Sequence, residues 1–370
     1  MSPTAVPDAV TALAKERAAA RERRDWAVAD ELRARIEAAG WSIVDQGTTF
    51  RLRPAHPPDV VEGDTTRYGS SASVPSRLEE PATTAATVVI TATDWPADVE
   101  RAVTALRRTS AEAAQIVVVA DGMSAAGEGS LSAAGEGSLP GLEAHGAEVV
   151  RTSERLGQAA ALNIGLRRSI GEIVVFLDPS VEPTGDIVAP LEAALRDQSV
   201  AVAGGWGMVS SDLRHFEEAP PGAVDAIEGY CLAFRRADGA FRGPLDEHFR
   251  FYRNLDLWWS LVLRDRGQAA EPLQAVAVEL PAIRHEHRAW TVTEPGERDR
   301  LSKRNFYRLL DRFRGRTALV GAGKGGAGKS GAGKSGASKS GAGKGGASKS
   351  GAGKSGAGKS GGALPSKGSN

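Results

Sequence analysis

A single cysteine, Cys231, stands in 370 residues. One thiol excludes an intramolecular disulfide framework and fits a reducing compartment. No apolar run approaches the ~20 residues of a membrane span. The opening residues lack the basic-then-apolar pattern of a signal peptide, so the expectation is a cytoplasmic chain with no transmembrane segment. Acidic residues are missing after Val320, where nine of the 46 basic residues lie. The remainder therefore carries 37 basic against 46 acidic residues, and an acidic body is not an obvious nucleic-acid binder. What is present is the ordinary mixture of a soluble protein, long enough for one large domain with a substantial core plus a smaller module.

Residues 1–54 read as that module. Val10, Leu13 and Ala14 have helical spacing, and a second helix from about Asp25 sets Ala29, Leu32 and Ile36 on one face before stopping at Gly40. Residues 41–44 and 48–51 then flank Asp45-Gln46-Gly47 as a hairpin. Residues 55–84, rich in Pro, Ser, Thr and Asp without periodicity, read as a linker.

From Thr87 onward, short β-branched runs alternate with helical patterns. This rhythm predicts an α/β domain over 85–318, with a mostly parallel mixed sheet and helices on both faces. The run from Ile173 to Leu177 is a buried central strand that ends abruptly at Asp178-Pro179-Ser180. Ligands of open α/β sheets collect just beyond such strand ends. An exact duplication, SAAGEGSL at 124–131 and again at 132–139, reads as a tolerant surface loop. Residues 319–370 form a Gly/Ala/Lys/Ser repeat that reads as a disordered cationic tail, suited to weak contact with nucleic acid or acidic surfaces. Its formal P-loop match at 323–330 has neither the preceding strand nor the following helix that phosphate binding needs, and is a by-product of the repeat.

Two resemblances follow. Glu16-Arg17, Ala20-Arg21, Arg24-Asp25-Trp26-Ala27, Leu32-Arg33, Gly40, Asp45 and 47–51 resemble the C-terminal end of cysteinyl-tRNA synthetases, over about an eighth of the chain. That resemblance implies a place near a tRNA anticodon end. The synthetase's catalytic signatures and zinc cysteines are absent, so aminoacylation is not implied, and a docking or spacing role is the other reading. Residues 86–290 resemble glycosyltransferase family 2. The landmarks are Asp121-Gly122, Gly157 with Ala161-Leu162-Asn163-Ile164-Gly165, Leu177-Asp178-Pro179-Ser180, Gly243-Pro244-Leu245-Asp246-Glu247, 251–257 and Arg264-Asp265-Arg266-Gly267.

This second resemblance implies a GT-A type nucleotide-binding fold and transfer of a sugar from a nucleotide-sugar donor to an unknown acceptor, with inversion. Thr91, Asp121, Asn163, Asp178 and Ser180 fall at donor-binding positions. A turn-forming Asp before Gly and a local hydrogen bond are the alternatives for Asp121 and Asn163. The family usually closes the 178–180 motif with a carboxylate that holds Mn²⁺ or Mg²⁺ on the diphosphate. Here Ser180 stands in that place, which leaves Asp178 with help from His287 or His285, or cationic clamps among Arg284, Arg288, Arg298, Lys303 and Arg304. The family's usual base pair is Arg253-Asn254 here, and an amide cannot accept the proton. Asp256 is then the candidate base, with Asp246 and Glu247 behind it; helix capping is its alternative. Loss of these carboxylates leaves a second reading, a family-2 fold kept for nucleotide or partner binding, and the N-terminal module a third, a tRNA-associated factor.

Overall fold

The protein is described from a computed structural model, covering residues 6–47, 49–110, 114–123, 142–143 and 145–321. The duplicated octapeptide, the P-loop match and the repeat from 322 onward lie outside the described residues.

The N-terminal module forms as expected, as helices Asp8–Glu22 and Trp26–Ala38 and a hairpin of Trp41–Gln46 with Thr49–Pro54. The Asp25 side chain caps the second helix by accepting from the Val28 N–H at 3.3 Å, and Gly40 takes a φ of 79° where the chain reverses. Val10, Ala14, Ile36, Trp41 and Ile43 make its small core. Arg17 is nearly fully buried and reaches both carboxylate oxygens of Asp45, at 2.8 and 3.1 Å, where Arg21 joins it.

The larger domain is organised on a ten-stranded sheet. From one edge its order is Gly222–Val224, Gln274–Ala277, Val200–Gly204, Cys231–Arg235, Gly171–Leu177, Thr84–Ala92, Ala114–Ala120, Glu148–Thr152, Thr65–Tyr68 and Val60–Glu62. The four strands from Gly171–Leu177 to Glu148–Thr152 run parallel, while Cys231–Arg235 inserts antiparallel between Gly171–Leu177 and Val200–Gly204.

Strand alternation builds two cores from one sequence run. Val174 and Phe176 pack with Phe234 and Trp259 on one face; Ile173, Val175 and Leu177 pack with Ile187 and Leu191 on the other. The strand is thus buried on both sides until Leu177, and polarity at Asp178 ends it. Helices Pro96–Ser110 and Val188–Leu195 cover the second face, and Gln158–Arg168 and Leu255–Arg264 the first.

The expected linker at 55–84 is instead part of this domain. Residues 60–62 and 65–68 extend the sheet, with Thr65–Tyr68 parallel to Glu148–Thr152, and Val74 is buried. Arginines distant in sequence fasten the rest. Arg236 donates to the carbonyls of Arg77 and Glu80 at 3.1 and 2.6 Å, and Arg167 to that of Val74 at 2.9 Å. Pro- and Ser-rich composition signals irregular backbone but is silent on whether remote guanidiniums satisfy it.

Candidate functional site

A cleft of about 670 Å³ opens beyond the carboxyl ends of Thr84–Ala92 and Gly171–Leu177. Its floor is aromatic. Phe176 meets Phe234 edge-on at 5.1 Å and Phe234 meets Trp259 at 5.6 Å, fixing the end of the central strand from below.

Asp178 sits on the rim where that strand stops. Its N–H donates to the Tyr230 carbonyl at 2.9 Å, and one carboxylate oxygen accepts from the Ser180 N–H at 2.8 Å and from the Ser180 hydroxyl. The other oxygen lies 3.1 Å from Nε2 of His287. His287 is stacked on Tyr252, centroids 4.1 Å apart, and is met edge-on by Tyr230. Burial would push the Asp178 carboxyl up, but the hydrogen bond and charge of His287 outweigh it and hold it below the ordinary value. For His287 burial works downward, and bonding to Asp178 overcomes it and raises the imidazole. Nδ1 of His287 is buried with no hydrogen-bond partner among the described residues.

Asp178, His287, Thr91 and Asp256 all line this cleft. Thr91 lies within 3.4 Å of the Gln158 side-chain amide. Asp256 is in the first turn of helix Leu255–Arg264; its oxygens accept from the Gly229 N–H at 2.8 Å and the Leu257 N–H at 2.9 Å. Burial pushes its carboxyl up against those bonds. The capping alternative is therefore realised in part. Asn254 precedes it with a left-handed φ of 65° and is tied to the Ser302 carbonyl, so it turns the chain into the helix.

Three expected donor residues are placed elsewhere. Ser180 is buried behind Asp178, spending its hydroxyl on that carboxylate. Asn163 is buried between helix Gln158–Arg168 and the loop after Gly243. Its amide donates to the carbonyl of Leu245 and to Glu247, and its oxygen accepts from the Leu245 N–H at 2.8 Å. Asp121 is equally enclosed, accepting from the N–H groups of Leu156 and Gly157 at 2.7 and 2.9 Å. It thereby anchors the start of helix Gln158–Arg168. Burial raises its carboxyl in spite of those bonds. Gly157, at φ 104°, is required here: a Cβ would come within 2.8 Å of the Arg250 backbone. These polar groups hold the frame of the cleft rather than its surface.

Histidines 285 and 287 do not act as a pair on one face. Strand Ala282–Arg284 pairs with Val181–Pro183, and the chain then turns, so His285 meets Glu182 at 2.8 Å while His287 meets Asp178. Among the expected cationic clamps, Lys303 lines the cleft. Arg284 contacts Glu228, Arg288 binds Asp98 at 2.8 Å, and Arg298 lies 3.8 Å from the Trp290 ring centre.

Sequence reasoning missed Glu228, Tyr230, Tyr252, Arg253 and Trp290, all cleft-lining. Burial and then the neighbouring Asp256 charge push Glu228 up to about 7. Arg253 lies 4.6 Å from the Trp290 ring centre. Glu228 carried no signal in a single sequence, because a Glu-Gly-Tyr turn resembles any other. Arg253 had one, as the residue in the place of an expected carboxylate.

The donor set at Asp178 fits a divalent cation in kind and falls short in number. One carboxylate oxygen and one imidazole nitrogen meet at the rim, and no group of three or more His, Cys, Asp or Glu side chains able to hold a metal occurs among the described residues. A cation there would take its remaining ligands from a diphosphate and water.

Residues 87–254 match the family model Glycosyl transferase family 2, so the resemblance read from the sequence holds over that stretch. Solved structures with a similar mixed α/β arrangement include GalNAc-T7 with UDP, GalNAc and Mn²⁺, at 17% identity and a TM-score of 0.44, covering 63% of this chain and 48% of that one. The mannosyltransferase PcManGT from Pyrobaculum calidifontis, in complex with GDP-Man and Mn²⁺, is 18% identical with a TM-score of 0.43, covering 67% and 71%. TarS of S. aureus is 12% identical with a TM-score of 0.40, covering 62% and 44%. A cysteine–tRNA ligase of Opitutus terrae is 52% identical over 50 residues, which is 14% of this chain and 11% of the ligase. The chain thus spans about half of the first of these structures and about a ninth of the ligase. Among the described residues, no helix is long and apolar enough to cross a membrane.

Proposed function

We propose that the chain transfers a sugar from a nucleotide-sugar donor to an acceptor hydroxyl, with inversion at the anomeric carbon. The observation that carries this reading is the Asp178–His287 pair on the rim of a cleft at the strand ends, inside a segment that matches glycosyltransferase family 2. The donor's diphosphate lies against that rim, and the sugar over the aromatic floor. Asp178 and His287 are the residues that would hold Mn²⁺ or Mg²⁺. Bound there, the cation would offset the charge developing on the leaving diphosphate. Tyr252 and Tyr230 fix the His287 ring, and the Ser180 hydrogen bonds fix the Asp178 carboxylate, so both donors are oriented beforehand. Arg253 and Lys303 line the same cleft and supply positive charge there. The test is release of UDP or GDP from UDP-glucose, UDP-N-acetylglucosamine and GDP-mannose, with Mn²⁺ and with EDTA, followed by NMR of the anomeric configuration. Retained configuration would remove the inverting mechanism.

One feature favours a second reading. Asn254, an amide tied to the Ser302 carbonyl, occupies the position where the resemblance expects a base. A chain that binds UDP or GDP tightly, yet releases neither from any donor, is a binding protein on this fold.

A further inference from the structure

We infer that Glu228 takes the proton from the acceptor hydroxyl in the transfer reaction, presented on a turn that Asp256 holds in place. The inference rests on the sugar-transfer reading above. Glu228 lines the cleft on the turn that leads into strand Cys231–Arg235. Two residues later the Tyr230 carbonyl accepts the Asp178 N–H. Two residues of chain reach at most about 7 Å, so Glu228 begins close to the diphosphate edge without being part of it.

The two carboxylates on this wall are used differently. Asp256 spends an oxygen on each of two backbone N–H groups, Gly229 and Leu257, and protonation would weaken both bonds. It therefore holds the turn that presents Glu228. Glu228 makes one longer side-chain contact, its Oε2 lying 3.3 Å from an Arg284 nitrogen. Arg284 is itself seated against Trp206 and Tyr230, at 5.7 and 4.9 Å from their ring centres, so it steers the carboxylate without closing on it as a tight pair.

The charged and titratable groups around Glu228 are Asp256 from helix Leu255–Arg264, Arg253 from the loop before it, Arg284 from strand Ala282–Arg284, Glu218 from strand Phe216–Ala219, and Tyr230 on its own turn. Burial and Asp256 act first, and the carboxyl is pushed up to about 7, against the pull of the two arginines. A carboxylate poised near neutrality is basic enough to accept a proton and keeps a large ionised fraction at neutral pH. Asn254 cannot do this work, because an amide has no proton-accepting charge.

The step balances. The acceptor O–H proton passes to a Glu228 oxygen while the acceptor oxygen bonds to the anomeric carbon. The bond from that carbon to the diphosphate oxygen breaks, and the nucleoside diphosphate leaves with the electron pair.

The experiment uses the full chain with UDP-N-acetylglucosamine, UDP-glucose and GDP-mannose in Mn²⁺, water serving as the acceptor. Release of UDP or GDP is followed from pH 5 to 9. Wild-type kcat rises with pH through an inflection near 7. Glu228→Gln lowers kcat by about 10²–10⁴-fold, abolishes the inflection and leaves the donor KM within about threefold. Glu228→Asp keeps a carboxylate and restores an inflection, which separates a lost base from a misfolded chain. Asp256→Asn moves the inflection to lower pH, because a neighbouring negative charge is gone. An inflection that survives Glu228→Gln, or one that disappears in Asp256→Asn alone, overturns the inference while leaving sugar transfer intact. Wild-type chain that releases nothing from any donor overturns sugar transfer itself, and the inference with it.

Discussion

Arg17 meets Asp45 in the N-terminal module and His287 meets Asp178 at the cleft, and in each pair the basic partner is largely shielded from water. They differ in what is left over. Arg17 closes on both Asp45 oxygens, Arg21 joins from the next turn of the helix, and none of the three lines the cleft. At the cleft a single 3.1 Å contact joins the pair, and both residues remain on the cavity wall. Arg17, Arg21 and Asp45 are also among the residues that carry the cysteinyl-tRNA-synthetase resemblance. Through Asp45 these arginines hold a helix against a hairpin. A motif residue bound to its own module's frame is architecture. One that keeps capacity facing a cavity is available for chemistry.

That comparison breaks most visibly at Asp178. Asp178→Asn is expected to reduce UDP or GDP release at saturating Mn²⁺ by about 10²-fold or more, since a neutral amide is a poor ligand for a hard divalent cation. Activity within threefold of wild type would put Asp178 with the structural residues. The converse change is Asp45→Ala, which strands a buried Arg17. It should destabilise the module by about 1–3 kcal/mol, discounted from a fully buried pair because Asp45 is 34% exposed. Urea denaturation followed by Trp41 fluorescence measures this loss, while donor turnover per folded molecule stays within twofold.

Acid sharpens the same distinction more gently. The Arg17 hydrogen bond, opposed by burial and helped by the charges of Arg17 and Arg21, holds the Asp45 carboxyl below its ordinary 3.8. A depressed folded value means that the pair's contribution is complete above 3.8 and is lost as pH falls through the lower folded value. Amide exchange of the hairpin should therefore accelerate in that acidic window and stay flat from pH 5 to 8. The smallest effect is expected from ending the chain after Gly321. Nine lysines are removed, so retention on heparin at low salt should fall, with donor turnover unchanged within twofold. A large loss of turnover would give the tail a part in the reaction.

Legibility in the sequence followed the range of the interactions. Helix Pro96–Ser110, the parallel strands and the polar end of the central strand were legible because period and burial are local in the chain. The segment 55–84 was not, since Arg167 and Arg236, far along the chain, hold it in place. Site residues divided the same way. Asp178 and His287 were legible as residue types near a strand end, whereas the internal hydrogen bonds of Asn163 and Asp121 were not. Glu228 was invisible because its character comes from burial beside Asp256, 28 residues later.

The alternation of strand and helix, the point at which apolar residues give way to Asp178, and the chemical types available there are written locally in the chain. Those follow from local hydrophobic period and from side-chain identity, which need no folded partner. Tertiary structure decided which polar groups face the cleft and which are spent on backbone. It also set the affinity of each carboxyl for its proton. Both depend on neighbours brought together from distant parts of the chain, and on the water that their packing excludes.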